Sequence, residues 1–371
     1  MEVTIECFGK PGLQGEEGVN QWNRYGPTAA RRHGRPGREI RPKSITIDIH
    51  SHVGVPGAAE FVRPHLSPTT AMPLVTFADA HTRALNQKQE ADLVARGSLD
   101  QRLADLDAMG VDMQIIKPPP PQCYYAVPLD IAVEAARRVN DGVAEFVARR
   151  PDRFKGFGTV PMPDGNEAAK ELERCATRLG FKGVQILTNV NGTELSDPAF
   201  APFWKKAEEL GALVVIHPNG FTQASRLTRF YFNNIIGNPL ETTIALSYLI
   251  FDGVLERHPN LKILAVHGGG YLASYSGRID HAWGARSDSR ADLPHPPTTY
   301  LKKIYFDTVV FTAHQLQELV RLYGADHILM GTDYPFDMAD YDPIGHVCDA
   351  GLATGSVAAI CGGNAKRLLG L

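Results

Sequence analysis

The chain has 371 residues, 43% of them hydrophobic, with a formal net charge of −3. That is enough apolar material for a full core in one large α/β barrel or two ordinary domains. The near-neutral charge excludes the basic face of a nucleic-acid binder, and no apolar run approaches the roughly 20 residues of a membrane-spanning helix.

Residues 1–43 are rich in Gly, Pro and Arg and have no periodic apolar pattern, apart from one short candidate strand at 3–7. They read as an N-terminal extension or arm, packed on the surface or on a partner subunit, or partly disordered. No signal-peptide pattern opens the chain, and Arg31-Arg32 is not followed by a long apolar run. The five cysteines (Cys7, Cys123, Cys175, Cys348 and Cys361) are scattered and never spaced as CxxC, which suits ordinary thiols in a reducing cytoplasm.

From Ser44 onward β-rich runs alternate with amphipathic helices. The candidate strands are 44–49, 111–117, 154–160, 182–187, 212–216, 261–266, 303–307 and 327–331. Several are continuous apolar runs, as parallel strands buried on both faces require. Ser98 and Gln101 form a capping-box pattern ahead of a helix that Gly110 stops. Asp164 opens a second helix, with Ala168, Leu172, Cys175 and Leu179 on one face, and a third spans 240–258. Eight strand–helix units specify a (β/α)8 TIM barrel over 44–371, distorted by two long irregular stretches at 53–97 and 219–238. A doubly wound sheet is the other candidate, but the first strand's turn lacks GxGxxG.

The chemistry collects at strand ends. The first strand runs out into His50-Ser51-His52, and residues i and i+2 of a strand project the same way. The fifth ends at His217, the sixth at His267 and the eighth at Asp333. In a barrel all five residues meet at one mouth, where imidazoles and a carboxylate can share a metal ion. Alone, a histidine after an apolar strand is an ordinary structural hydrogen-bonder; the coincidence of four strand ends is what argues for a metal. No lysine stands at the fourth strand's end to bridge two ions, Lys182 being at its start, and Lys117 at the second strand's end is a weaker rival. Gly268-Gly269-Gly270 is no phosphate loop, since no Lys-Ser/Thr follows; it lets backbone approach the site. Pro118–Pro121 is a rigid strand exit.

These residues resemble the amidohydrolase superfamily, in the branch typified by aminocarboxymuconate-semialdehyde decarboxylase. The likeness runs from about Ile47 to the C-terminus. It rests on IDIHSH (Ile47–His52), RLADLDAMGVDMQ (102–114), HPNG (217–220), IGNPLETTIAL (236–246), AVHGGGYLASYSGRIDHAW (265–283) and GTDYPFD (331–337). It implies that His50, His52, His217 and Asp333 ligate one divalent ion, zinc or else manganese, and that His267 is the acid/base, with Asp333 sharing the catalysis. It further implies that Arg278 binds a substrate carboxylate from the neighbouring subunit of a homodimer or higher oligomer, and that Phe336 lines the pocket. Arg63, Arg83 and Arg96 are other candidates for that carboxylate.

The expected activity is that of a metal-dependent carbon–carbon lyase, a non-oxidative decarboxylase of an aromatic or unsaturated (di)carboxylic acid. Two routes fit: His267 activating water for addition, or protonation of the ring carbon of a chelated acid by Asp333 or His267. The alternative is a metal-dependent hydrolase or hydratase of a ring-cleavage product. A metal-binding scaffold without activity fits poorly, since every ligand position and His267 are present.

Overall fold

A computed structural model describes residues 40–67, 72–96 and 98–371. Most of the expected arm, with the candidate strand at 3–7 and Arg31-Arg32, lies outside the described residues. Where description begins, Arg41 makes a two-pronged ion pair with Asp112, at 2.6 and 3.0 Å, tying the segment to the barrel.

All eight predicted strands form; the first and fifth are shifted toward the C-terminus and take in His50, His52 and His217, and the others are shorter than predicted. They are β1 (Ile47–His52), β2 (Met113–Lys117), β3 (Phe154–Gly156) with β4 (Gly158–Thr159), β5 (Gly183–Leu187), β6 (Leu213–His217), β7 (Lys262–Ala265), β8 (Tyr305–Asp307) and β9 (Ile328–Leu329). The third predicted strand is the one that splits. Its middle residue, Phe157, still donates to Ile116 O at 2.8 Å, so β3 pairs with β2 and β4 with β5 along one continuous stave. Every pairing among these strands is parallel, in the order β1-β2-β3 and β4-β5-β6-β7-β8-β9. The ring closes where Ile49 N donates to Met330 O at 2.9 Å and Ser51 bridges Tyr334 in parallel. The fold is thus an eight-staved (β/α) barrel.

Strand alternation builds two cores. Ile47, Ile49, Ile115, Phe157, Leu213, Val215, Leu264 and Leu329 pack together inside the barrel. Their neighbours Ile116, Phe154, Val184, Val214, Ile216 and Ile263 face the helices in the larger outer cluster. Leu213 and Val214, adjacent in sequence, go to opposite cores, as a period of two demands.

The helix ends follow local chemistry. Ser98 Oγ accepts from Gln101 N at 3.2 Å ahead of the helix Leu99–Met109, and Gly110 ends it at φ 76°. Asp164 caps Gly165–Arg178 by accepting from Asn166 N and Glu167 N. Three expectations need correction. The helix foreseen at 240–258 is two, Asn238–Phe251 and Val254–Arg257, because Gly253 takes the left-handed φ of 71° between them. The stretch 53–97, expected to be irregular, holds the helices Pro56–Val62, Pro73–Thr76 and Ala80–Arg96. The stretch 219–238 ends in a π-helical turn, Asn233–Gly237, that runs into the helix Asn238–Phe251. The two stretches are joined over the mouth: Asn233 Nδ2 donates to Pro73 O, and Asp79 N to Thr228 O.

Candidate metal centre

Beneath the mouth a buried polar chain sets the end of β1. Asp48 accepts from His50 N, Gln114 Nε2 and the Thr332 hydroxyl. Arg102, itself buried, donates to Gln114 Oε1 and to His52 O. Burial pulls its guanidinium pKa down to about 10. A register irregularity between Asp48 and Ser51 falls at His50, and such a bulge re-aims the side chains it carries.

The five predicted residues meet. His50 Nε2 lies 3.2 Å from His52 Nε2 and 3.1 Å from Asp333 Oδ1. His52 Nε2 is 3.2 Å, and His217 Nε2 4.0 Å, from that same oxygen. His267 Nε2 faces the other oxygen, Asp333 Oδ2, at 3.4 Å. Asp333 and His267 both hold left-handed backbone, at φ 64° and 54°, the kind of strain that clusters at functional sites.

Each of the three inner imidazoles spends its other nitrogen on the protein. His50 Nδ1 donates to Asp307 Oδ2 at 2.6 Å, His52 Nδ1 to Pro118 O at 3.0 Å and His217 Nδ1 to Pro218 O at 2.6 Å. That arrangement puts the proton on Nδ1 and leaves the Nε2 lone pair facing the centre, as in metal-ligating histidines. Burial keeps two of the rings neutral: the pKa of His52 falls well below the ordinary value and that of His217 falls to about 4. That of His50 is instead raised: burial and the Lys117 ammonium lower it, but the carboxylates of Asp333 and Asp307 outweigh them. Burial alone would raise the pKa of Asp333, but the surrounding histidines outweigh it and hold the carboxylate well below its usual range. His217 Nε2 is buried without a hydrogen-bond partner among the described residues. Converging lone pairs and a lone carboxylate, one acceptor left orphaned, fit a divalent cation.

One atom each from His50, His217, His267 and Asp333 lie within 4.8 Å of one another, so this set could also hold an ion. His52 is nearer than His267 to His50 and to Asp333 Oδ1. His267, by contrast, has no partner fixing its Nδ1 among the described residues.

Asp307 was not among the predicted site residues. It ends β8, takes His50 on one oxygen, and accepts from Gly268 N at 2.9 Å and Val309 N at 3.2 Å on the other. The signal was present, because the seventh strand ends in a polar residue exactly as the ligand-bearing strands do. Lys117 is buried and donates to Ile49 O at 3.0 Å, and burial lowers its pKa to about 8. Its ammonium ties β2 to β1. Of the three glycines after His267, Gly268 and Gly270 line the cavity above the centre, and Gly268, at φ 61°, has Val310 where a Cβ would stand.

A cavity of about 750 Å³ opens above the centre, lined by His217, Asn219, His267, Asp333 and Phe336 among mostly apolar walls. Pro120 and Pro121 form part of them, so the proline-rich strand exit shapes the pocket. The Phe336 ring sits 5.0 Å from that of His52. No Lys or Arg is found among the described lining residues. Arg278 is exposed on the helix Gly277–Ala285 and does not line its own chain's cavity. Neither does Arg63 nor Arg83, whose guanidinium donates to Ala78 O; the side chain of Arg96 lies outside the described residues.

Residues 47–371 match the family model described as amidohydrolase, and the chain belongs to that family. Within it, the chain stands in the branch of the carboxymuconate-semialdehyde decarboxylases. It is 37% identical over 276 residues to 2-amino-3-carboxymuconate-6-semialdehyde decarboxylase of Dictyostelium discoideum, covering 73% of this chain and 76% of that one. The structure is similar to 2,6-dihydroxybenzoate decarboxylase complexed with 2,6-dihydroxybenzoate, at TM-score 0.72 and 26% identity over 88% of this chain and all of that one. It also shares its fold with a manganese-bound dihydroxybenzoic acid decarboxylase from Polaromonas sp. JS666, at TM-score 0.74 and 24% identity, covering 88% and 97% of the two chains.

Proposed function

We infer that this protein is a metal-dependent, non-oxidative decarboxylase of a small aromatic carboxylic acid. The observation that carries the reading is the division of labour around Asp333: three imidazoles point Nε2 at one carboxylate oxygen, and His267 faces the other. In this reading His50, His52, His217 and Asp333 hold one divalent ion. When bound, the ion supplies positive charge against the negative charge that develops on the acid.

The chain's own residues do the rest. Asp307 and the Pro118 and Pro218 carbonyls fix the tautomers. The apolar walls and the Phe336 ring hold the aromatic ring and exclude water. The pair His267 Nε2 and Asp333 Oδ2 holds a proton at the cavity floor. That proton passes to the ring carbon bearing the carboxylate; the carbon–carbon bond breaks, its electron pair replaces that of the ring bond used in protonation, and carbon dioxide leaves.

Imidazole and carboxylate donors suit zinc and accept manganese. Arg278, exposed and away from its own cavity, suits a homodimer in which it enters the partner's site and supplies the cation that the lining lacks. Among the described residues no helix is long and apolar enough to cross a membrane, and we place the enzyme in the cytoplasm. Residues 44–371 then form the catalytic barrel and 1–43 an extension.

The test is to incubate the metal-loaded protein with a panel of hydroxybenzoates and carboxymuconates, measuring carbon dioxide and the decarboxylated product together. Stoichiometric release supports the reading; hydrolysis or hydration products without carbon dioxide would sink it.

A further inference from the structure

Three consecutive N–H groups in the loop after β6 are capped by side chains of one stretch. Gly220 N donates to Asn238 Oδ1 at 2.7 Å, Phe221 N to Asn233 Oδ1 at 2.8 Å and Thr222 N to Glu241 Oε1 at 2.7 Å. The loop starts at Pro218, whose carbonyl holds His217 Nδ1 at 2.6 Å. Asn233 also reaches across the mouth. It is 4% exposed, and the other end of its amide, Nδ2, donates to Pro73 O at 2.9 Å. One side chain thereby ties the backbone beside a predicted metal ligand to the segment 72–79.

Two glycines make room for that amide. A Cβ on Gly237 would stand 2.4 Å from Asn233 Oδ1, and one on Gly220 would stand 3.1 Å from its Nδ2 and 2.7 Å from Leu74 N. The segment it holds buries little of itself. The helix Pro73–Thr76 has no buried residue, and within 72–79 only Ala78 is buried. A second link to the same side of the mouth runs from Asp79 N to Thr228 O at 2.8 Å. Leu74 nevertheless walls the cavity. A segment with few buried apolar contacts opens locally at small cost, so its closure depends on its polar links.

Resting on the decarboxylase reading, we propose that Asn233 is a positioning residue: its amide latches the segment 72–79, with Leu74, over the bound substrate and couples that closure to the loop beside His217. The acceptor half serves Phe221 N and the donor half Pro73 O. An ionised carboxylate supplies only the first. Closure completes the cavity wall and keeps water from the reacting acid.

The experiment compares the metal-loaded full chain with Asn233→Asp and Asn233→Ala, by amide hydrogen exchange read on peptides and by steady-state kinetics. In wild type, peptides spanning 72–79 should exchange by local opening, faster than those of β6 and insensitive to low denaturant. In Asn233→Asp, which keeps the shape and the Phe221 bond, exchange over 72–79 should quicken about tenfold. Exchange at 220–222 and in β6 should hold, as should metal content. Asn233→Ala gives up both bonds, so 220–222 should quicken as well. In both variants KM should rise by about two- to tenfold, bounded by the loosening itself, while kcat changes less. Exchange over 72–79 unchanged in both variants overturns the proposal, and so does faster exchange with KM unaltered. Wild-type exchange over 72–79 only by global unfolding also overturns it. Two variants that fail to fold, or that lose protection throughout the barrel, would make Asn233 a structural residue and overturn it too. Exchange is read without substrate, so wild type that releases no carbon dioxide from any acid would fault the decarboxylase reading, and the exchange result alone would then decide the latch.

Discussion

His50 shows how a single residue is made into a ligand. Its Nδ1 is held by Asp307 at 2.6 Å, so its Nε2 has only the centre to face. Asp307→Asn keeps the shape and removes the charge; metal affinity should fall about 10- to 100-fold in a competition assay with a chelator. His217→Ala should lose most of its metal by elemental analysis. His267→Ala should keep it, with the fold intact, and lose about 10²-fold or more in turnover; a metal-free His267→Ala would instead make His267 a ligand, as the alternative four-residue set allows. A pH effect follows from His217. Burial holds its folded-state pKa at about 4, below the ordinary 6.5. As pH falls below 6.5 the unfolded chain takes up that proton first, so this stability is fully present above 6.5 and is lost on the way down to 4. The melting temperature of the metal-stripped protein should therefore drop on acidification through that window, and that of His217→Asn should drop less.

At the scale of elements, β7 and β9 deliver His267 and Asp333 through left-handed exits, at φ 54° and 64°. After β7, Gly268 at φ 61° would set a Cβ 2.3 Å from Val310 Cγ1. Gly268→Ala should cost on the order of 1–3 kcal/mol in denaturant unfolding and lower turnover by shifting His267. Gly277→Ala, with nothing within 4 Å of the new methyl, is the control and should stay close to wild type. The same scale shows how much of the fold was legible. The strands were, since runs such as Leu213–His217 are buried at every position and announce themselves as apolar. The helix Ala80–Arg96 was not, because its sequence AHTRALNQKQEADLVAR carries too few apolar residues to mark a stripe. The third stave's split into β3 and β4 was equally hidden, since it depends on which neighbour each half pairs with.

For the whole molecule, the cavity looks unfinished in a single chain. Its described lining contains no Lys or Arg, and Arg278, the residue expected to meet a carboxylate, is exposed, as is Tyr275. If the working unit is a homodimer sharing arginines, Arg278→Ala should raise KM and lower kcat while metal is retained. Mixing Arg278→Ala chains with His267→Ala chains, both inactive, should restore activity towards about a quarter of wild type, since about half the dimers are mixed and each has one intact site. No recovery after subunit exchange, verified by mass spectrometry, would mean that Arg278 serves its own chain or no site.

By itself the sequence determined the barrel and the inventory of its centre. A strand's period of two and an apolar run's end are local properties, so His50, His52, His217, His267 and Asp333 could be assigned to one mouth without coordinates. Tertiary structure alone decided which oxygen of Asp333 each imidazole faces, that Asp307 orients His50, and that β9 closes on β1. Those facts are distances between residues as far apart in the chain as Asp48 and Thr332, joined at 2.7 Å. No local periodicity encodes such a distance; it appears only when the packing of all the staves together fixes where each strand ends.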